Sequence, residues 1–281
     1  MSLTGLPPDT DADVTRVSEA LAMITPRWNV RILLALSGPP LRYSEVADKL
    51  SWLRNSQLHP KLRSLRDAGL VKRTEHDARH VTYTHTSRAT ALLPVLPLVV
   101  AWAERHLEQP QEPLPAIEQI EDSLTLLTRR HAATILWTLK IRGETSGRAL
   151  ALTVMPGKDW TNIYPPLRQL VADGLVDTSG TGQPYRLSAA GEDLGPVFGA
   201  LSAWSAGQPL TQAARHPVWG QDRAPQFSRT WVSHQARTSP LAPRPAPAQP
   251  VQRPSWQGTD LFSHAAPVRP VPALTTGGIR R

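Results

Sequence analysis

One stretch of this chain occurs twice. Leu58–Val71 reads LHPKLRSLRDAGLV and Ile163–Val176 reads IYPPLRQLVADGLV, with the apolar positions, the proline, an arginine and the closing Gly-Leu-Val in matching places. The correspondence extends in both directions with small gaps. Upstream, Leu21, Ile24, Thr25, Arg27, Ile32, Leu33 and Leu36 align with Leu124, Leu127, Thr128, Arg130, Ile135, Leu136 and Leu139. Downstream, Tyr83, Leu92, Pro94, Val95 and Trp102 align with Tyr185, Leu194, Pro196, Val197 and Trp204. A period of about a hundred residues is longer than the 20–50 residues of a solenoid unit, so it predicts a duplicated domain.

The 281 residues suffice for two such domains. The expected division is a disordered N-terminus over 1–14, one domain over 15–107, a linker over 108–115, a second domain over 116–207 and a disordered tail over 208–281. The linker EQPQEPLP is stiffened by three prolines that lack an amide hydrogen. Beyond Gln208 helical periodicity stops, and 12 of the 28 prolines follow. Such a segment buries too little apolar surface to offset chain entropy. Trp219, Trp231, Trp256 and Phe262 stand out there as short adhesive motifs.

Within each copy the pattern is helical with a small β portion. Val17–Leu36 has apolar residues at helical spacing, broken near Pro26, and Gly38-Pro39-Pro40 stops the chain. Arg42–Leu50 resumes the spacing, and a short turn leads to a helix over about Asn55–Ala68. Asn55 or Ser56 is its expected cap, and Gly69 its stop. Two helices joined by a tight turn, the second strongly patterned, form a helix-turn-helix. Leu70–Glu75 and His80–Thr86 then alternate as strands around a polar turn, the expected wing. The fold class is mainly α with small β-wings: two tandem winged helix-turn-helix domains plus a disordered Pro-rich tail.

On a helical wheel Leu58, Leu62 and Leu65 make one buried stripe. Ser56, Pro60 and Arg63 face the other way, flanked by Gln57, His59 and Ser64, and Pro60 is expected within the first turn. A guanidinium such as Arg63 can present a bidentate fork to guanine, and a carboxamide such as Gln57 to adenine. On the wing, Lys72, Arg73, Arg79 and His80 can hold phosphates and give salt-dependent affinity. In the second copy Arg168 occupies the place of Arg63. These eleven residues, none of them catalytic, are the candidate DNA-binding set.

Charge supports this choice for the first copy. The net charge is +8, and residues 15–107 hold 14 Lys/Arg against 7 Asp/Glu, residues 116–207 hold 8 against 9, and residues 208–281 hold 9 against 2. A basic excess points to a polyanionic partner.

Several classes are excluded or disfavoured. The chain has no cysteine, so disulfides, thiolate metal sites and thiol switches are ruled out. The acidic MSLTGLPPDTDAD start is unlike an export leader, and the longest apolar run, Ala91–Ala103, contains Pro94 and Pro97 and is too short to span a bilayer. A cytoplasmic chain without membrane contact is expected. There is no Gly-rich phosphate loop, HExxH motif, nucleophile elbow or pair of suitably spaced carboxylates, so neither an enzyme nor a cofactor is expected. His76, His80 and His85 are crowded, but strand alternation does not bring them together as metal ligands.

The apolar helix expected over Ala89–Leu107 exceeds what one small domain needs, so it and its equivalent around Trp204 are expected to pack copy against copy. Trp28, Trp102 and Trp204 read as core or interface aromatics, or as walls of a ligand pocket.

TPRWNVRILLAL with its Trp28, GPPLRYSEVADKL, and LRSLRDAGLVKR running into a Tyr-containing wing together resemble HxlR-type winged-helix regulators. The aromatic-proline pair of IYPPLRQLVADGLV is also similar to the recognition helix of PadR-type regulators. The likeness covers roughly 17–107 and, more weakly, 117–206. It implies transcription regulation by a dimer on double-stranded DNA, with first and last helices forming the dimer interface. Here one chain could supply both halves as an intramolecular pseudo-dimer, or pair with itself through the helices of Trp102 and Trp204. The second copy departs from the pattern: His131 replaces the tryptophan, and its neutral GTGQP turn follows Asp177 where Lys72 stands. The alternative is a winged-helix protein-interaction scaffold whose basic tail binds nucleic acid without sequence preference.

Overall fold

The computed structural model describes residues 4–77, 80–107 and 114–220. It is mainly helical with two small antiparallel sheets. The first half runs α1 (Pro8–Ile24), α2 (Asn29–Ala35), β1 (Leu41–Arg42), α3 (Tyr43–Lys49), α4 (Asn55–Asp67), β2 (Val71–Glu75), β3 (Val81–His85), α5 (Ser87–Leu92) and, after one 3-10 turn, α6 (Leu96–His106). The second half runs α7 (Ala116–Leu127), α8 (Ala132–Arg142), α9 (Gly147–Val154), α10 (Tyr164–Ala172), β4 (Val176–Thr178), β5 (Tyr185–Leu187), α11 (Ala189–Glu192) and α12 (Gly195–Ser205). A 3-10 segment, Leu210–Arg215, follows. No helix among the described residues is long and apolar enough to cross a membrane.

Matching local chemistry produces matching turns. Helices α4 and α10 both end on a glycine with φ +71°, Gly69 and Gly174, a conformation open to a residue without Cβ. The following Leu70 and Leu175 amides donate back to Leu65 and Leu170 carbonyls, each at 2.9 Å, closing the Schellman arrangement. Among the described residues Trp28 and His131, before α2 and α8, are the non-glycine residues with positive φ, at 74° and 62°. The first sheet has the order β1-β3-β2. In the second, β4 pairs with β5, and the third strand is reduced to a bridge between Thr145 and Tyr185.

Four boundaries differ from the sequence reading. Residues 1–14 are expected to be disordered, yet α1 begins at Pro8. Proline is suited to the first helical turn, and Asp9 and Asp11 favour its positive end. Gly5 donates to the Thr153 carbonyl at 2.7 Å and Leu6 is buried, tying the segment ahead of α1 to the other half. The helix starts at Asn55 as expected, but its cap is not Asn55 or Ser56: Arg54 holds the cap position without a side-chain cap bond. Pro60 lies inside α4, at its sixth residue, where it cannot donate to the Ser56 carbonyl. The expected Ala89–Leu107 helix is divided by a 3-10 turn at Leu93–Val95.

The tail is the fourth difference. Residues 208–220 pack on α12, and Trp219 is 2% exposed. Of the linker, only Leu114 and Pro115 are described, Pro115 standing at the cap of α7. Residues 221–281, including Trp231, Trp256 and Phe262, lie outside the described residues.

The two halves exchange their terminal helices. Helix α1 packs on α12, and α6 on α7. Trp102 donates its indole N–H to the Ala190 carbonyl at 2.9 Å, and Trp204 donates to the Arg88 carbonyl at 2.8 Å. Both tryptophans and both acceptors occupy corresponding repeat positions, so the contact is reciprocal. Arg105 and His106 of α6 reach Asp193 at 3.2 and 2.9 Å, and hydrogen bonding from His106 holds that carboxyl below its usual range.

Asp13 closes the other side. It accepts from Ser202 at 2.5 Å and from His216 Nε2 at 2.7 Å, while His216 Nδ1 accepts the amides of Val218 and Trp219. Burial pushes the Asp13 pKa up, but hydrogen bonds from His216 and Ser202 and the nearby charge of Arg16 outweigh it and hold it below 3.8. A carboxyl whose folded pKa is depressed stabilises the fold above its unfolded pKa, and that contribution is lost as pH falls through the folded value. The stability gap between the native chain and Asp13→Asn, measured by urea melts at stepped pH, is therefore expected to be constant near pH 5 and to shrink below about pH 4.

Candidate nucleic-acid interface

Helix α4 is seated by Leu58, Leu62 and Leu65, which are 0, 2 and 1% exposed. Each contributes up to about 1.5–3 kcal/mol of burial, enough to fix which side of the helix faces outward. Ser56, Gln57, His59, Pro60, Arg63 and Ser64 are all exposed. Ahead of the helix, Trp52 packs on Trp28 with ring centroids 5.9 Å apart, under the guanidinium of Arg31.

The wing stands beside this surface. β2 and β3 pair in the register Arg73 to Tyr83 and Lys72 to Thr84. Strand alternation therefore puts Arg73 and Lys72 on opposite faces, although both are exposed. His59, Leu62, Arg63, Arg66, Arg73 and Tyr83 line a cleft of about 350 Å³ between α4 and the sheet. His59, Arg63 and Arg73, three residues of the candidate set, thus line one cleft. Arg66 and Tyr83 belong to the same cleft and were absent from the candidate set. Arg66 lies one helical turn beyond Arg63, a spacing that could have found it.

The other candidates fall elsewhere. His80 is half-buried at the hairpin, its amide held by Asp77 Oδ1 at 2.7 Å and its ring 4.7 Å from that of His76. His85 turns the other way, onto the Leu33 carbonyl, and burial lowers its pKa. Arg79 lies outside the described residues. Arg168 is exposed on α10, in the other half.

Electrostatically the cleft is basic but not bare. Asp67 accepts from Arg66 at 3.0 and 3.2 Å and lies 3.9 Å from Arg63, and Glu75 accepts from Arg73. These pairs are solvent-exposed. Exposed pairs contribute only about 0–1 kcal/mol, so the guanidiniums can exchange a carboxylate for a phosphate at little cost. The second half is different: Asp177 is exposed on β4 where Lys72 stands in the first, and Leu152 and Trp160, opposite Ala47 and Asn55, are 65 and 45% exposed. Asp173 there is taken up by Arg129 and Gln169.

Residues 23–111 match the family model described as HxlR-like helix-turn-helix. The HTH-type transcriptional regulator YodB of Bacillus subtilis (strain 168) is 27% identical over 95 residues, a segment covering 33% of this chain and 85% of that protein. No solved structure matches the chain.

Proposed function

We propose, with the HxlR-like helix-turn-helix domain at residues 23–111 as premise, that the chain is a sequence-specific DNA-binding transcription regulator. Helix α4 enters the major groove, and the wing holds adjacent phosphates. The observation that carries this reading is the uncovered polar face of α4 beside Arg66 and Arg73, in the basic half of the described chain. The similarity to a transcriptional regulator supports it.

The second half acts as a built-in partner, a duplicated winged-helix domain whose terminal helices do for one chain what a second subunit does in a dimer. The reciprocal Trp102 and Trp204 bonds support this pseudo-dimer. With a neutral surface around α10, it contributes alignment and little direct contact, and Arg168 is its single cation aimed like Arg63. The same reading makes the chain a cytoplasmic regulator with no catalytic role.

Arg63→Ala is expected to cost about 1–3 kcal/mol on the preferred duplex and to relax preference at one base position, whereas Lys72→Ala weakens all duplexes alike and lowers the salt slope by about 1. Selection of duplexes from a random library, followed by mobility shifts with these variants, tests it. Equal binding of native chain and Arg63→Ala to every duplex would refute the reading. The scaffold alternative draws on Leu152 and Trp160, exposed apolar side chains that stand opposite Ala47 and Asn55 of the first half. A library that yields no enriched motif would favour it.

A further inference from the structure

The two halves differ at the turn before their second helix. In the first half Trp28 and Trp52 pair, Arg31 covers Trp52 with its guanidinium 5.3 Å from the ring centroid, and Glu121 accepts from Arg31 and from the Trp28 amide. The repeat register puts His131 opposite Trp28, Gly157 opposite Trp52, Thr134 opposite Arg31 and Ser18 opposite Glu121. All four replacements are smaller.

The space they vacate is open. A cleft of about 540 Å³ lies between α1 and the start of α8, bordered by Ser18, His131, Thr134, Met155, Pro156 and Lys158, with Val14 and Val154 beneath. That volume falls within the roughly 300–1,000 Å³ usual for small-molecule sites. His131 lines this cleft, and its Nε2 is buried without a hydrogen-bond partner among the described residues. Orphaned buried polar atoms are rare enough to need a cause. Burial first, then the charges of Arg130 and Lys158, keep this imidazole neutral by lowering its pKa.

We propose that this cleft binds a small neutral aromatic molecule of the indole or phenol class, whose ring replaces the missing tryptophan pair and whose N–H or O–H donates to His131 Nε2. The walls are largely apolar, which suits a ring. Charged groups at the cleft, Asp11, Glu19 and Lys158, together with Arg130 beside His131, balance in sign, so no net field selects an ion, and Asp11 is engaged by Thr4. The inference does not depend on DNA binding, because occupancy is read directly.

The probe is 5-fluoroindole, followed by fluorine NMR with the full chain. Saturable binding is expected with a dissociation constant at or below about 1 mM, as fits a ligand of nine or ten heavy atoms. His131→Trp, which restores the residue of the first half at a backbone position already shown by Trp28 to accept it, should weaken binding at least about tenfold by filling the site. His131→Phe keeps a ring and removes the acceptor, so it should weaken 5-fluoroindole about three- to tenfold and leave 1-fluoronaphthalene, which has no donor, unchanged. Absence of saturable binding to the native chain, unaltered binding in either variant, or benzoate or benzylammonium binding as tightly as the indole would each overturn the proposal.

Discussion

Trp219→Ala is expected to lower the stability of the folded chain by about 3–5 kcal/mol, the cost of truncating a large buried aromatic side chain. The indole is 2% exposed and meets Trp137 and Phe198 with centroids 5.1 and 4.9 Å away, while the Lys140 ammonium lies 5.4 Å from its ring. Its carbonyl sits so close to α12 that a Cβ at Gly195 would come within 2.9 Å of it, so backbone and side chain are both seated. The loss would also reach Asp13, because His216 is oriented by the Val218 and Trp219 amides. Against a typical total of about 5–15 kcal/mol, this is a large fraction. Urea denaturation followed by circular dichroism measures it. A midpoint unchanged by the substitution would mean that residues 208–220 are an appendage, not part of the core.

That result bears on what sequence alone could reveal. Proline content averaged over 208–281 is dominated by the residues after Gly220, and the first 13 residues are hidden within it. A tryptophan followed by glycine has no periodicity to betray burial, and its partners Trp137 and Phe198 are far off in the chain. The N-terminus failed for a related reason. Asp9, Asp11 and Asp13 look like a solvated lead, but two of them favour the positive end of a helix and the third is tied to residues 189 and 203 positions away. Long-range partners leave no local trace.

Local signals fared better. The leucine stripe of α4, the Gly69 stop and the alternation of β2 and β3 are each set within a few residues, and each is found within one or two positions of where the pattern placed it. The candidate interface was half legible for the same reason. The wheel gives the outward face of α4, but the cleft it shares with Arg73 and Tyr83 depends on how the sheet leans on the helix. Pro60 shows a tertiary override: a position poor for a helix interior is tolerated because three buried leucines hold the helix across it. The repeat told more than either pattern, since it made the excess apolar surface of α6 and α12 a question of which copy covers which.

The second large effect concerns that coverage. Trp204→Ala is expected to cost about 3–5 kcal/mol by truncation alone, and a comparable loss is expected for Trp102→Ala, as both rings are 3% exposed. The two substitutions should differ in what else they disturb. Trp204 anchors the Arg88 carbonyl at the start of α5, directly after β3 of the wing, and its ring lies 5.1 Å under the Arg88 guanidinium. Losing it frees the wing's exit, so Trp204→Ala should weaken DNA binding although it lies in the half with the neutral surface. Trp102 anchors Ala190, after the second half's own strands, and its loss should leave DNA binding nearly intact at temperatures where the variant remains folded. Combining both should uncouple the halves, because reciprocal anchors and exchanged helices are what make them one cooperative unit. Calorimetry is expected to give a single transition for the native chain and two for the double variant. A single transition in the double variant would mean that the exchanged helices α1 and α7 carry the coupling without the tryptophans.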